Sequence, residues 1–267
     1  MENILKGINT LIFCDETKFY KNNGDIEDEI YYFGVVCKKE QVPEINKQLN
    51  ILYKNHRLQT KVFHATTVFR ENKPRKLLIR DLTDLIINNK LYCFCYKYLQ
   101  SSLFEATKIL SKFNNDVLNF DKVEFQAVFY YITTLNTYLR DFAPELFEKE
   151  ITLYFDRNVY GKNDIETLSF PKLDYVLKQM TFCEKSKISL LALPDFFGYI
   201  FRKSKISNNK VQGGNKLLEK STLTISCYEN LIKISEAGLF KFIDIKEETI
   251  LEALNVIASK NIFKNNV

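Results

Sequence analysis

Apolar positions appear first as a short unbroken run, Leu11-Ile12-Phe13-Cys14, followed at once by the acids Asp15 and Glu16. Four apolar residues without alternation predict a strand covered on both faces. Turn chemistry at Asn22-Asn23-Gly24-Asp25 separates it from a second, β-branched and aromatic strand over residues 30–37, and the two read as a hairpin. Val42, Ile45, Leu49 and Leu52 recur at helical spacing beside Pro43, predicting a helix over 41–55. Residues 61–64 read as a short strand. Behind Pro74, the spacing of Leu77, Leu78, Leu82, Leu85 and Ile86 predicts an amphipathic helix closing near Asn88-Asn89. Residues 91–99 alternate cleanly and read as a strand.

The second half predicts a helix over 122–139, a strand over 150–155 ending at Asp156, a helical stretch over 173–180 and a strand over 187–191. A helix then starts at Pro194 and runs to Arg202, a loop covers 208–215 around Gly213-Gly214, and a helix over 247–258 closes the chain. A hairpin followed by strands interleaved with helices predicts an α/β architecture around one mixed sheet. The glycine-containing loop divides the chain into a domain over 1–214 and a helical extension over 215–267 packed on it.

Composition narrows the classes. The 267 residues are 46% hydrophobic, with 22 Phe and 15 Tyr, enough apolar content to exclude global disorder. Apolar runs such as Leu190-Leu191-Ala192-Leu193 fall far short of a membrane span. Lys and Arg number 38 against 33 Asp and Glu, a net charge of +5 that permits a polyanionic partner without a dense basic stripe. The six cysteines form no CxxC pair and read as reduced, buried thiols. The opening Met1-Glu2-Asn3-Ile4 lacks the basic-then-apolar layout of a secretory signal, so the expected location is cytoplasmic.

Candidate chemistry rests on three acids at the ends of apolar segments: Asp15, Asp156 and Asp195. In open α/β sheets, functional groups gather where strands end. Two strand-end aspartates on neighbouring strands would lie close enough to share a cation. Like charges ~4 Å apart repel by about 4 kcal/mol at an effective dielectric near 20, so such a cluster needs a counter-ion. Carboxylate oxygens suit Mg2+ or Mn2+. Each acid taken singly reads first as a turn residue or cap, and Asp195 as a complement to a helix dipole. Glu16 would point to the opposite side from Asp15 if the strand continues, as a surface acid. His64 lies in an apolar segment and reads as a hydrogen-bonded core residue, whereas His56 reads as surface. No Gly-x-Ser-x-Gly elbow, phosphate-cradling Gly-rich loop or HExxH helix is present.

Five short motifs in order resemble the bacterial family filed as domain of unknown function 3800. They are Phe13-Cys14-Asp15-Glu16-Thr17, Tyr32-Phe33-Gly34-Val35-Val36, Phe63-His64-Ala65, Phe155-Asp156-Arg157-Asn158 and Leu193-Pro194-Asp195-Phe196-Phe197-Gly198. The likeness spans residues 9–205. Val62 stands where that family often has Glu, Thr17 and Lys18 where it has Ser and Gly, and Pro194 where it has Ala. The resemblance implies a ribonuclease H-like three-layer fold with a mixed central sheet. It further implies Asp15, Asp156 and Asp195 as catalytic metal ligands for Mg2+ or Mn2+, with Glu16 able to stand in for the missing acid. His64 becomes an acid/base or phosphate contact.

The expected activity is therefore that of a metal-dependent nuclease or phosphodiesterase, with Arg157, Arg202 and Lys203 steering a nucleic-acid backbone. A non-catalytic nucleic-acid- or protein-binding module on the same fold, in phage defence or mobile-element biology, is the alternative. Aromatic side chains would hold its ligand by stacking. Nucleic acid is the expected partner, with a homodimer as a further expectation and no membrane.

Overall fold

The apolar run at residue 11 does not stop at its acids. In the computed structural model, β1 (Thr10–Tyr20) carries Asp15 and Glu16 inside the strand and pairs antiparallel with β2 (Ile26–Lys38), with Cys14 opposite Gly34 and Glu16 opposite Tyr32. The structure describes residues 10–20, 26–58, 62–99, 106–114, 119–121, 126, 142–146, 150–156, 166–169, 177–212 and 221–260. Five more strands complete the sheet: β3 (Tyr92–Leu99), β4 (Ile151–Asp156), β5 (Glu166–Ser169), β6 (Leu177–Cys183) and β7 (Phe240–Asp244). Their order is β5-β6-β4-β1-β2-β3-β7. The pairs β1–β4, β4–β6 and β3–β7 are parallel and the others antiparallel, so the sheet is mixed.

Helices α1 (Val42–Asn55), α2 (Ala65–Val68), α3 (Lys76–Asn88), α4 (Ala192–Gln212), α5 (Thr222–Glu236) and α6 (Glu247–Lys260) accompany it. α4 packs directly on β1 and β2, α5 on α4 and α3, and α1 on α3. Leu11, Phe13, Phe33, Val35, Cys93 and Cys95 meet Ile45, Leu49, Leu78, Leu82, Phe196, Phe197 and Ile200 in one buried cluster. The alternate positions Ile12, Cys14, Tyr32, Phe94, Tyr96, Phe155 and Phe182 are buried as well. Both faces of the central strands are thus covered, as their unbroken apolar character requires. Each fully buried large side chain contributes about 1.5–3 kcal/mol. All six cysteines are buried, and none is in a disulfide. No described helix is long and apolar enough to cross a membrane.

Several elements differ from the sequence expectation. Residues 177–180, read as helical, belong to β6, because parallel pairing with β4 buries Met180 and Phe182 on a strand. Residues 187–191, read as a strand, form a turn and a 3-10 turn at Ser189–Leu191 leading into α4. Ile188, Leu190 and Leu191 are buried there without being extended, while Lys187 is exposed. Residues 62–64 are not a strand: Phe63 stacks on Tyr53, and His64 caps the single-turn α2. α4 starts at Ala192 and continues through residues 208–212, which were expected to be a loop. The helix expected over 122–139 lies outside the described residues apart from residue 126. His56 is not simply surface, since its Nε2 lies 2.7 Å from Asp81 Oδ2. The C-terminal residues are no helical appendage, because β7 adds to the sheet beside β3.

Gly198 lets α4 approach β2 closely. A Cβ there would stand 2.7 Å from Phe33 Cδ2, inside van der Waals contact, and Phe33 is buried among Phe197 and Phe201 with little room to move. Gly198→Ala is expected to destabilise the fold by about 1–3 kcal/mol in denaturant unfolding. The double variant Gly198→Ala with Phe33→Leu should recover part of that loss.

Candidate functional site

Parallel pairing of β1 and β4 puts Phe13 opposite Tyr154 and Cys14 opposite Phe155. The Phe13 and Tyr154 rings stack at 5.4 Å between centroids. Two residues further along each strand, on the same face by the period-two rule, come Asp15 and Asp156. α4 crosses this end of the sheet with Asp195 in its first turn, where a carboxylate complements the helix dipole. Pro194 sits inside the same turn, where its missing N–H leaves no hydrogen bond unmade. Three acids separated by 141 and 39 positions in the chain are thereby brought to one place.

Lys185 stands at the centre of the three. It rises from the turn after β6, which is closed by the Lys187 N–H donating to the Glu184 carbonyl. Lys185 Nζ donates to Asp15 Oδ2 at 3.1 Å and to Asp195 Oδ2 at 3.1 Å, and lies 3.7 Å from Asp156 Oδ2. Its side chain is only 9% exposed, and the aspartates 8–14%. Asp195 Oδ2 also accepts from the Ala65 N–H at 3.4 Å and lies 3.7 Å from His64 Nδ1. The His64 side chain is half-exposed, at the mouth of the cleft.

A cleft of about 270 Å³ opens over the cluster, and its walls include Glu16, Thr66, Tyr199 and Arg202. Glu16 is not a surface acid. By strand alternation it leaves β1 on the other side from Asp15, yet it lines the same cleft. Its Oε2 is buried with no hydrogen-bond partner among the described residues. Arg202 lies two turns along α4 from Asp195, its guanidinium 5.7 Å from the Tyr199 ring centre. Lys203 points elsewhere, paired with Glu71 at 2.7 Å. Arg157 falls outside the described residues.

The charges are strongly coupled. Burial dominates at Asp15 and outweighs Lys185, so with Asp195 and Asp156 adding repulsion the carboxyl rises from its ordinary 3.8 to about 7. Burial likewise lifts Glu16 from 4.5 to about 8, with Asp15 adding to it and Lys185 opposing. Burial alone would lower the Lys185 pKa, but Asp15, Asp195 and Asp156 reverse this and hold it above its ordinary value. The ammonium therefore stays charged, and the site at neutral pH carries less negative charge than its acids would suggest.

The sequence placed Asp15, Asp156, Asp195 and His64 in this set and missed Lys185. The only advance signal for the lysine was the need of clustered acids for a counter-ion, together with a cationic residue just past a strand end. Oxygen donors of this kind suit Mg2+ or Mn2+ chemically, and the unpartnered Glu16 oxygen fits that character. As the side chains stand, no three acid, histidine or cysteine groups among the described residues are disposed to hold a metal ion. The ammonium sits where the aspartates converge. The chain matches no protein-family model and no curated protein.

Stability should follow the two raised carboxyls. The folded chain binds these protons more tightly than the unfolded one, so the part of the stability that these two groups carry is full below about pH 3.8–4.5 and is lost as pH rises toward 8. In chelator, Glu16→Gln should unfold at higher denaturant than wild type at pH 8 and gain little at pH 4. A difference independent of pH would contradict the assignment.

Proposed function

We propose that the protein is a divalent-metal-dependent nuclease or phosphodiesterase acting on nucleic acid. The observation that supports this best is the convergence of Asp15, Asp156 and Asp195 on a single cation, Lys185, at the floor of a polar cleft. These three acids, with Glu16, are the residues that would hold Mg2+ or Mn2+ once the ammonium gives way. When the ion is bound, the chemistry available is polarisation of a phosphodiester oxygen and activation of water.

The chain's own groups would do the rest. Arg202 lines the cleft and can fork onto phosphate oxygens, positioning the backbone. His64 stands at the edge of the acid cluster, its Nδ1 3.7 Å from Asp195 Oδ2, where it can pass a proton to a leaving oxygen. Tyr199, beneath Arg202 and in the cleft wall, offers an aromatic face beside the phosphate contact. The resemblance to the domain of unknown function 3800 family, with its ribonuclease H-like fold, agrees with this reading.

One feature favours a second reading. A lysine already neutralising the acids would suit a binding module that needs no metal. Such a module keeps its nucleic-acid affinity in EDTA, whereas the enzyme needs the ion to cut.

With Mg2+ or Mn2+, purified protein should cleave DNA or RNA, and EDTA should abolish cleavage. Asp15→Asn or Asp156→Asn should each lower the rate roughly a hundredfold or more, since metal assistance supplies several kcal/mol of barrier lowering. Retained activity in both variants, or none in wild type with either ion, would contradict the proposal. Arg202→Ala should weaken nucleic-acid binding and make its salt dependence shallower by about one phosphate contact. An unchanged slope in a salt titration would remove Arg202 from the phosphate-binding role.

A further inference from the structure

Lys185 Nζ sits within 3.1–3.7 Å of one carboxyl oxygen from each of the three aspartates. A small divalent ion takes such oxygens at about 2.0–2.1 Å. Ammonium and ion would therefore contend for the same oxygens, and in a buried setting their mutual repulsion is poorly screened. The lysine is a compact charge on a flexible four-carbon stem, anchored in a turn outside the sheet. Its side chain lines the open cleft, so a rotation about the stem's own bonds is the motion that would take it off the acids. The buried, unpartnered Glu16 Oε2 beside the cluster marks a further oxygen that the single ammonium leaves unsatisfied.

Building on the reading of this cluster as a cation site, we infer that Lys185 is a tethered counter-ion that occupies the acid cluster in the metal-free protein and is expelled when a divalent ion enters. The lysine then has two consequences. It holds together acids that would otherwise repel one another, keeping the empty site formed. It also sets the concentration at which metal binds, because an ion can enter only the fraction of molecules whose lysine has swung away. If the lysine is inserted in about nine molecules of ten, the apparent affinity falls about tenfold. Lys185 is on this account a positioning and gating residue rather than a ligand.

The test uses the full chain and Mn2+ alone as the probe. Wild type, Lys185→Met and Lys187→Met are titrated by calorimetry. The exposed Lys187 lies two residues away, so its replacement controls for the same loss of charge. Lys185→Met should bind Mn2+ at least about tenfold more tightly than the other two, and should melt at lower temperature in EDTA. A second readout needs no variant: acetic anhydride labelling of wild type, read by mass spectrometry, should leave Lys185 protected in EDTA and modify it in saturating Mn2+. This labelling decides the matter should Lys185→Met fail to fold. Mn2+ binding with Lys185 equally protected in both states would overturn the tethered counter-ion and leave the metal site standing. Absence of Mn2+ binding in wild type and both variants would overturn the metal site itself.

Discussion

Charge balance among buried acids is the constraint on which this end of the molecule depends. Asp15, Asp156 and Asp195 are nearly removed from solvent, and each brings one carboxyl oxygen within 3.7 Å of the same ammonium. A pair of like charges ~4 Å apart costs about 4 kcal/mol at an effective dielectric near 20, a sizeable part of the total stability of a typical domain. Two effects offset this. Lys185 places its ammonium among all three, and the protons retained by Asp15 and Glu16 reduce the charge that has to be matched. An arrangement that is costly to assemble and only partly neutralised is a site of function far more often than of structure, since apolar packing would have been the more stable choice.

The scaffold explains why the acids meet at all. Parallel pairing of β1 with β4 carries both chains in the same direction, so residues at the same height leave the sheet together, and the stacked Phe13 and Tyr154 hold the register just beneath the acids. The third acid comes from a helix. α4 lies across β1 and β2, seated closely because Gly198 presents no side chain to Phe33, and its first turn brings Asp195 over the same strand ends. Arg202, two turns on, faces the same cleft, so the acids and a guanidinium share its walls. Site and core are thus one construction: the aromatic packing around Phe33, Phe197 and Phe201 sets the height at which the charges meet.

Much of this was legible in the letters, for identifiable reasons. The unbroken run at residues 11–14 and the alternation at 91–99 reported their strands, because burial on both faces or on one leaves a direct mark on composition. The three aspartates stood out because each ended an apolar segment. What failed was local pattern without tertiary context. Residues 177–180 carry an ambiguous pattern that only pairing with β4 resolves into a strand, and Ile188, Leu190 and Leu191 are apolar because they are buried in a turn, not because they are extended. Alternation alone misplaced Glu16, which the family resemblance had made a candidate ligand, because the period-two rule fixes the side on which a residue leaves the strand and not where a long side chain ends. Lys185 lies in a short polar turn that looks like any other, and its role exists only in three dimensions. β7 went unseen because Phe240 to Asp244 is short and half-polar, as an edge strand tends to be.

The most direct measurement is a crystal of the wild-type protein grown without metal and soaked in Mn2+, with anomalous diffraction recorded at the manganese edge. An anomalous peak is expected among the carboxyls of Asp15, Asp156 and Asp195, with the Lys185 side chain turned away from them. A lysine still seated between the aspartates, with manganese bound elsewhere or nowhere, would contradict that expectation.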